Sequence, residues 1–245
     1  FVIFLIDSGA THSVVTSCKG PLKCPLPFKA KNVTPIKIEL KPGVKPVRVN
    51  QYAIRLEVQK ELETLVNTFM QYRLLRECQS EFNTPILPVR KPHSQKYRLV
   101  QDLRAIIQIT TDIHPTVPNP YTVLAAVAES NTYFTVLDLK DAFFCIPVDE
   151  QSQAIFAFQW ESPSRGRNVQ MCWMVLPQGF KNSPTLCGNV LAKALKQWQG
   201  NNDHVTLLQY VDDLLIGADM EECGRHCLLK YLGLAGYRVS QKRHK

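Results

Sequence analysis

The sequence predicts an α+β fold, a sheet with its helices on one face. Two observations lead there. Strand-like runs and segments of helical spacing follow one another in a β-α-β-β-α order. Two pairs of strand-like runs also lie close enough in the chain to be partners: TPILPVRKP (84–92) with KYRLVQDL (96–103), and AIFAFQW (154–160) with VQMCWMVL (169–176).

The elements follow in chain order. FVIFLI reads as a short strand running into the turn DSGATHS, within residues 1–18. Residues 19–50 carry Pro21, Pro25, Pro27, Pro35, Pro42 and Pro46 among lysines, which favours extended or irregular chain and a domain boundary. From Arg55 to Tyr72, Leu56, Leu62, Leu65, Val66 and Phe69 recur at helical spacing. HPTVPNPY (114–121) is too proline-rich for a helix interior. YFTVLDL (133–139) is a strand, and ESPSRGRN (161–168) is the turn of the second hairpin. SPTLCGNVLAKALKQW (183–198) is a helix with Leu186, Val190, Leu191, Leu195 and Trp198 on its apolar side. VTLLQYV and LLIGA then flank two aspartates, and a last helix spans about 220–235.

Composition excludes several classes. The 245 residues are 45% hydrophobic and 20% charged, which suits a chain with a real core rather than a disordered tail. No apolar run reaches the roughly 18 residues of a membrane helix. The eight cysteines are scattered from Cys18 to Cys227, so reduced thiols are expected rather than a disulfide scaffold. The net charge of +8 is uneven: residues 19–48 hold eight Lys/Arg against the single acid Glu39, and RVSQKRHK at 238–245 adds four more. The main body is near neutral, and basic ends of this kind suit nucleic-acid contact or simple solvation. The chain opens at Phe1 without a basic or cleavable leader, so it is read as starting inside a longer frame and as not secreted.

The strongest local feature is Tyr210-Val211-Asp212-Asp213 between two apolar runs. A tight hairpin there would project two adjacent carboxylates from a buried ribbon, although an aspartate pair also suits a solvated turn. Asp138 changes the balance, because it interrupts an apolar strand where an unpartnered carboxylate is costly. If the strands are neighbours, three carboxylates meet, and divalent cations would relieve their repulsion. Oxygen ligands without His or Cys favour Mg²⁺ or Mn²⁺ over zinc. Cys223, His226 and Cys227 are close in sequence, but zinc needs about four ligands and no second cluster exists.

TVLDLKDAFF, LPQGFKNSP (176–184) and LLQYVDDLL (207–215), following VQDLRAI and DIHPTVPNPY, resemble retroviral reverse transcriptases over about residues 52–240, especially the gammaretrovirus-like type of endogenous proviruses. LIDSGATHSVV resembles the active-site strand of a retroviral aspartic protease. The resemblance implies a right-hand polymerase with fingers at 51–130, a ferredoxin-like palm at 131–240 and no thumb. A protease remnant at 1–18 with a non-functional Asp7, a basic linker at 19–50 and a basic tail at 241–245 complete the expected layout.

It further implies an RNA-directed DNA polymerase core, read as a truncated endogenous retroviral copy of weak or no activity, taking an RNA or DNA template with primer and deoxynucleoside triphosphates. No organic cofactor and no membrane are expected, and the location would be cytoplasmic or nuclear, or a virion in the parental virus. Asp138, Asp212 and Asp213 would hold two Mg²⁺ ions, with Mn²⁺ as substitute. Lys91 and Arg98 would bind the triphosphate, and Asp141 and Ala142 would offer it backbone N–H groups. Phe143 would exclude a ribose 2′-hydroxyl, and Gln178 would contact nucleotide and template. The parent polyprotein would also carry RNase H; the alternative is an inactive nucleic-acid-binding remnant.

Two departures stand out. Arg73 lies where the family usually has a turn glycine, so a positive φ there would be strained. RAIIQI (104–109) puts apolar residues in a stretch expected to be a template-side loop.

Overall fold

A computed structural model describes residues 30–31, 33–92, 95–114, 131–164, 166–203, 205–218 and 223–240. The protease-like strand, Asp7, most of HPTVPNPY and the tail 241–245 lie outside the described residues. The described chain forms two compact units, one of 30–31, 131–145 and 184–240, the other of 33–114 and 146–183. The units therefore interleave in sequence, and 146–183 groups with 33–114.

In the second unit, helix α1 (Leu56–Gln71) buries Leu62, Val66 and Phe69 at the predicted spacing. Its end is a Schellman motif: the N–H of Leu74 donates to Phe69 O (2.8 Å) and that of Arg73 to Met70 O (3.0 Å). Arg73 takes the left-handed place usually given to glycine, with φ 55°. Strand β1 (Leu75–Glu77) joins the hairpin of β5 (Ala157–Ser162) and β6 (Arg167–Trp173) in the order β1-β6-β5. The Trp173 ring packs on Phe69 at 5.5 Å and Phe158 at 6.4 Å.

The hairpin turn is tighter than its composition suggested. Ser162 pairs with Arg167, and Gly166, at φ 57°, donates to Ser162 O. Glu161 and Asn168 are strand residues despite their polarity, because an exposed hairpin end needs backbone pairing rather than apolar side chains. β2 (Ile86–Arg90) and β3 (Tyr97–Gln101) form the other expected antiparallel pair. Arg104–Ile109 is a short helix, α2, not a loop. Ile106 is its fully buried anchor, which explains the apolar run.

The segment 33–50 contains no regular element, as its prolines require, yet it is not a loose linker. Ile38 is buried and its N–H donates to Ser152 Oγ (2.9 Å), beside the short helix α3 (Glu150–Gln153). Bridges join Ile36 to Val148, Leu40 to Thr110 and Arg48 to Asn83. Extended chain has unpaired backbone groups at every residue, and here strand-like partners take them up.

The first unit follows the predicted β-α-β-β-α order. β4 (Tyr133–Asp138), α4 (Ser183–Gln199), β7 (Thr206–Tyr210), β8 (Asp213–Ala218) and α5 (Cys223–Ala235) form it, with sheet order β4-β8-β7. Leu137, Leu207, Leu214, Ile216 and Ala218 share the buried face, while Val136 and Tyr210 lie exposed on the opposite one. The two helices meet where Tyr231 Oη donates to Ala194 O (2.8 Å). Gly217 is tightly packed: a Cβ there would come within 2.5 Å of the Asn131 side-chain amide, which donates to Thr206 Oγ1 and would have to shift.

Candidate active site

The carboxylates are placed by the β4-β8 ladder. Asp138, the last residue of β4, is the direct partner of Asp213, the first of β8. Directly opposed residues share a sheet face with their Cβ atoms roughly 5 Å apart, so both carboxylates point to the open face. Asp138 is half-buried and Asp213 exposed.

The hairpin connection is Val211-Asp212, not the two aspartates, since Tyr210 already pairs with Asp213. Val211 sits at φ 55°, a position that two-residue hairpins give to glycine or asparagine, and a β-branched residue there is strained. Three bonds hold this turn. Asp212 O accepts the Leu139 N–H (3.1 Å), and the Gln209 amide donates to both Val211 O and Gly188 O at 3.0 Å. Gln209 thus ties the turn to α4. The sequence reading passed over it, although an amide inside the apolar run VTLLQYV was its signal.

Beneath the turn, burial pushes the Cys187 thiol up to about 12, with the Asp212 charge adding to the effect. Cys145 is likewise raised to about 12, first by burial and then by Cys187 and Asp141. Both are therefore neutral packing groups at ordinary pH.

The aspartates suit a hard divalent cation by donor type, because Mg²⁺ is usually bound through one or two carboxylates together with water and substrate phosphates. Among the described residues no three His, Cys, Asp or Glu side chains are grouped as metal ligands. The ladder brings together the pair Asp138 and Asp213, with Asp212 in the adjoining turn.

Asp141 follows at φ 53°, the third left-handed non-glycine residue among those described. It leads into a single 3₁₀ turn, Ala142–Cys145, in which Ala142 and Phe144 are buried and Phe143 half-buried.

The other predicted residues lie in the second unit. Gln178 is half-buried in a turn whose Gly179 has φ 89°. That loop is anchored by Phe180 against Phe156, by Ser183 Oγ on Pro177 O, by Asn182 on Thr111 O and by Lys181 on Asp112. The Lys181 ammonium holds the Asp112 carboxyl below its ordinary range. On the β2-β3 hairpin Val89 opposes Arg98, and the ladder continues through the bond from Lys91 N–H to Lys96 O. Lys91 and Arg98 therefore share one exposed face with Lys96, a third cation that sequence alone did not single out.

A family model described as reverse transcriptase (RNA-dependent DNA polymerase) matches residues 89–241. The chain belongs to the reverse transcriptase family. It is 49% identical over 218 residues to the Pol polyprotein of Feline endogenous virus ECE1, covering 88% of this chain and 21% of that protein. It is also 49% identical to the Gag-Pol polyprotein of Baboon endogenous virus (strain M7) over 88% of this chain and 13% of that protein. With the Gag-Pol polyprotein of Woolly monkey sarcoma virus the identity is 47%, over 87% and 13%. The chain thus spans about a fifth or less of the curated retroviral relatives it matches, and the resemblance to retroviral reverse transcriptases read from its motifs is correct. No helix among the described residues is long and apolar enough to cross a membrane.

Proposed function

We propose that the chain is an RNA-directed DNA polymerase core, extending a primer 3′-hydroxyl along an RNA or DNA template with deoxynucleoside triphosphates. The observation that carries this reading is the opposed pair Asp138 and Asp213 on the open sheet face of a reverse-transcriptase-family chain, next to the strained turn at Asp212. Two like charges set directly across a ladder are unfavourable by themselves. Backbone strain retained beside this pair suits a site that works with a bound cation.

In this reading Asp138, Asp212 and Asp213 are the ligands of two divalent ions, Mg²⁺ first and Mn²⁺ as substitute. Such ions supply neutralisation of the triphosphate and a lower pKa for the attacking hydroxyl. The chain's own residues do the positioning. Lys91 and Arg98 hold the triphosphate, Arg98 in a bidentate way. The N–H groups of Asp141 and Ala142 add donors to it, Phe143 crowds a ribose 2′-hydroxyl, and Gln178 lies against nucleotide and template. The division into fingers at 51–130 and palm at 131–240 belongs to the same proposal.

The test is primer extension on poly(rA)/oligo(dT) by the folded chain, with Mg²⁺ and separately with Mn²⁺. Extension that disappears in Asp212→Asn supports the reading. Primer–template binding without extension under either metal would overturn it in favour of an inert binding remnant.

A further inference from the structure

A pair of free cysteines lies in the other unit, and its chemistry does not depend on the polymerase reading. The β1-β6 ladder sets Arg76 opposite Cys172 and Glu77 opposite Met171, and Cys78 N–H extends the ladder by donating to Gln170 O at 2.9 Å. Residues two apart on a strand share a face, so Arg76, Cys78 and Cys172 lie together, with Cys78 diagonal to Cys172. The two thiols are unlike. Cys172 is fully buried, whereas Cys78 is half-buried. Cys78 lines an open groove of about 890 Å³, to which Cys172 does not contribute. The groove is polar, with Arg48, Arg167 and the amides of Asn50, Gln79 and Asn168 in its wall. Its one acid is Glu77, which pairs with Arg167 at 3.4 Å. Arg48 is held by its Nε on Glu81 O at 2.8 Å.

The thiols also differ in acidity. Hydrogen bonding from the Cys172 thiol, with the Arg76 charge adding, lowers the Cys78 pKa against the opposing effect of burial. The same bond, together with burial, raises Cys172. A thiolate-prone, accessible sulfur beside a buried protonated one is the arrangement of an attacking and a resolving cysteine.

We propose that Cys78 is a thiol–disulfide exchange site for an anionic low-molecular-weight disulfide taken up in the Arg48/Arg167 groove, and that Cys172 resolves the adduct into an intrachain Cys78–Cys172 bond. In the first step the Cys78 thiolate attacks one sulfur of R–S–S–R. A mixed disulfide forms, the R–S–S–R bond breaks, and RS⁻ leaves to take up a proton. In the second step Cys172 attacks Cys78 Sγ, the Cys78–SR bond breaks, and the Cys172 proton passes to the departing sulfur, releasing the second RSH. Two protein thiols are oxidised and one small disulfide is reduced to two thiols. Diagonal ladder neighbours lie about 7–8 Å apart, beyond the usual disulfide range, so closing the bond requires Cys78 to give up its ladder bond to Gln170 and shift toward Cys172. Cys78 lies one residue past β1, where the chain end can close that distance.

The test exposes the full chain to glutathione disulfide and follows it by intact mass and peptide mapping. The expected result is faster reaction at Cys78 than at the exposed Cys227, no lasting adduct on Cys78, and a linked 78–172 peptide. Cys172→Ala is expected to stop at a stable Cys78 adduct. A stable Cys78 adduct in the unaltered chain overturns the resolving role, and Cys78 reacting no faster than Cys227 overturns the site. Groove capture is read without a variant: the rate with glutathione disulfide should fall as salt rises, while that with uncharged 2-hydroxyethyl disulfide stays flat. Arg48→Gln should slow only the anionic reagent, about tenfold. Equal slowing of both reagents overturns the anion-binding role of the groove.

Discussion

Two antiparallel ladders in this molecule set like charges against each other, and they do so by different means. On β4-β8, Asp138 opposes Asp213 beside a turn held by backbone bonds and the Gln209 amide. On β2-β3, Lys91 opposes Lys96 with Arg98 next on the same exposed face. The carboxylates are short side chains whose positions follow the backbone closely. The cations sit at the ends of long stems that the hairpin only aims. The first arrangement fixes geometry and the second supplies charge, so substitutions should act sharply in one and by degrees in the other.

The largest effect tests the carboxylate ladder. Asp138→Asn and Asp212→Asn should each reduce primer extension about a thousandfold or more, because each removes a charge worth several kcal/mol at a metal-assisted step. Stability should separate them. In chelator, Asp138→Asn removes the charge directly opposite Asp213 and should shift thermal unfolding by up to about 1 kcal/mol, upward where repulsion outweighs the other interactions of Asp138. Asp212→Asn, which lies in the turn, should gain little. A stability loss at Asp138→Asn of the size expected for a broken buried bond would show that a partner, not repulsion, dominates there.

The cationic face should answer by degrees. Arg98→Ala should raise the KM for deoxynucleoside triphosphate about ten- to a hundredfold, the worth of charge-assisted hydrogen bonds, with less change in kcat. Arg98→Lys should fall between, since it keeps charge and loses the fork. Lys96→Ala should cost less than either. Loss of kcat equal to that of Asp138→Asn would erase the distinction between the two ladders.

Much of this layout was legible beforehand. The positions of α1, β2, β3, β4 and α4 were legible within a residue or two, the helices from the spacing of their apolar residues and the strands from short apolar runs bounded by prolines and polar turns. What escaped was set by pairing across the sheets. The Val211-Asp212 turn follows from which residue of β7 meets which of β8, and local sequence does not encode that register. The same holds for Lys96 beside Lys91 and for Cys172 beside Cys78. The segment 33–50 was misjudged because proline and lysine content reports helix and core potential, while its attachment runs through backbone bonds.

Backbone strain gives a contrast of about 1–2 kcal/mol. Arg73 and Val211 both occupy φ 55°. Arg73→Gly relieves a helix cap and should stabilise the chain without altering extension. Val211→Gly relieves a similar strain beside Asp212 and should stabilise it less, because glycine also frees the unfolded chain there and loosens the turn. Its kcat should drop. Unfolding midpoints and single-turnover extension measured together on both variants would decide whether strain at the turn is functional or incidental.

The smallest effect concerns the basic segment, and the fold changes how it must be probed. Deleting 19–48 would remove the buried Ile38 and the bridges at Ile36 and Leu40, so weakened binding could then follow from damaged packing. Lys37 and Lys45 are exposed and enter no ion pair among the described residues, so Lys37→Gln with Lys45→Gln changes charge and leaves the backbone pairing in place. If both reach phosphates, the slope of log Kd against log salt for primer–template should flatten by about 1.8, at about 0.9 per contact. Thermal stability should stay unchanged. A slope unmoved by the double variant but flattened by Lys96→Gln would move the nucleic-acid contact from the basic segment to the hairpin face. The cations of β2-β3 would then serve template as well as triphosphate.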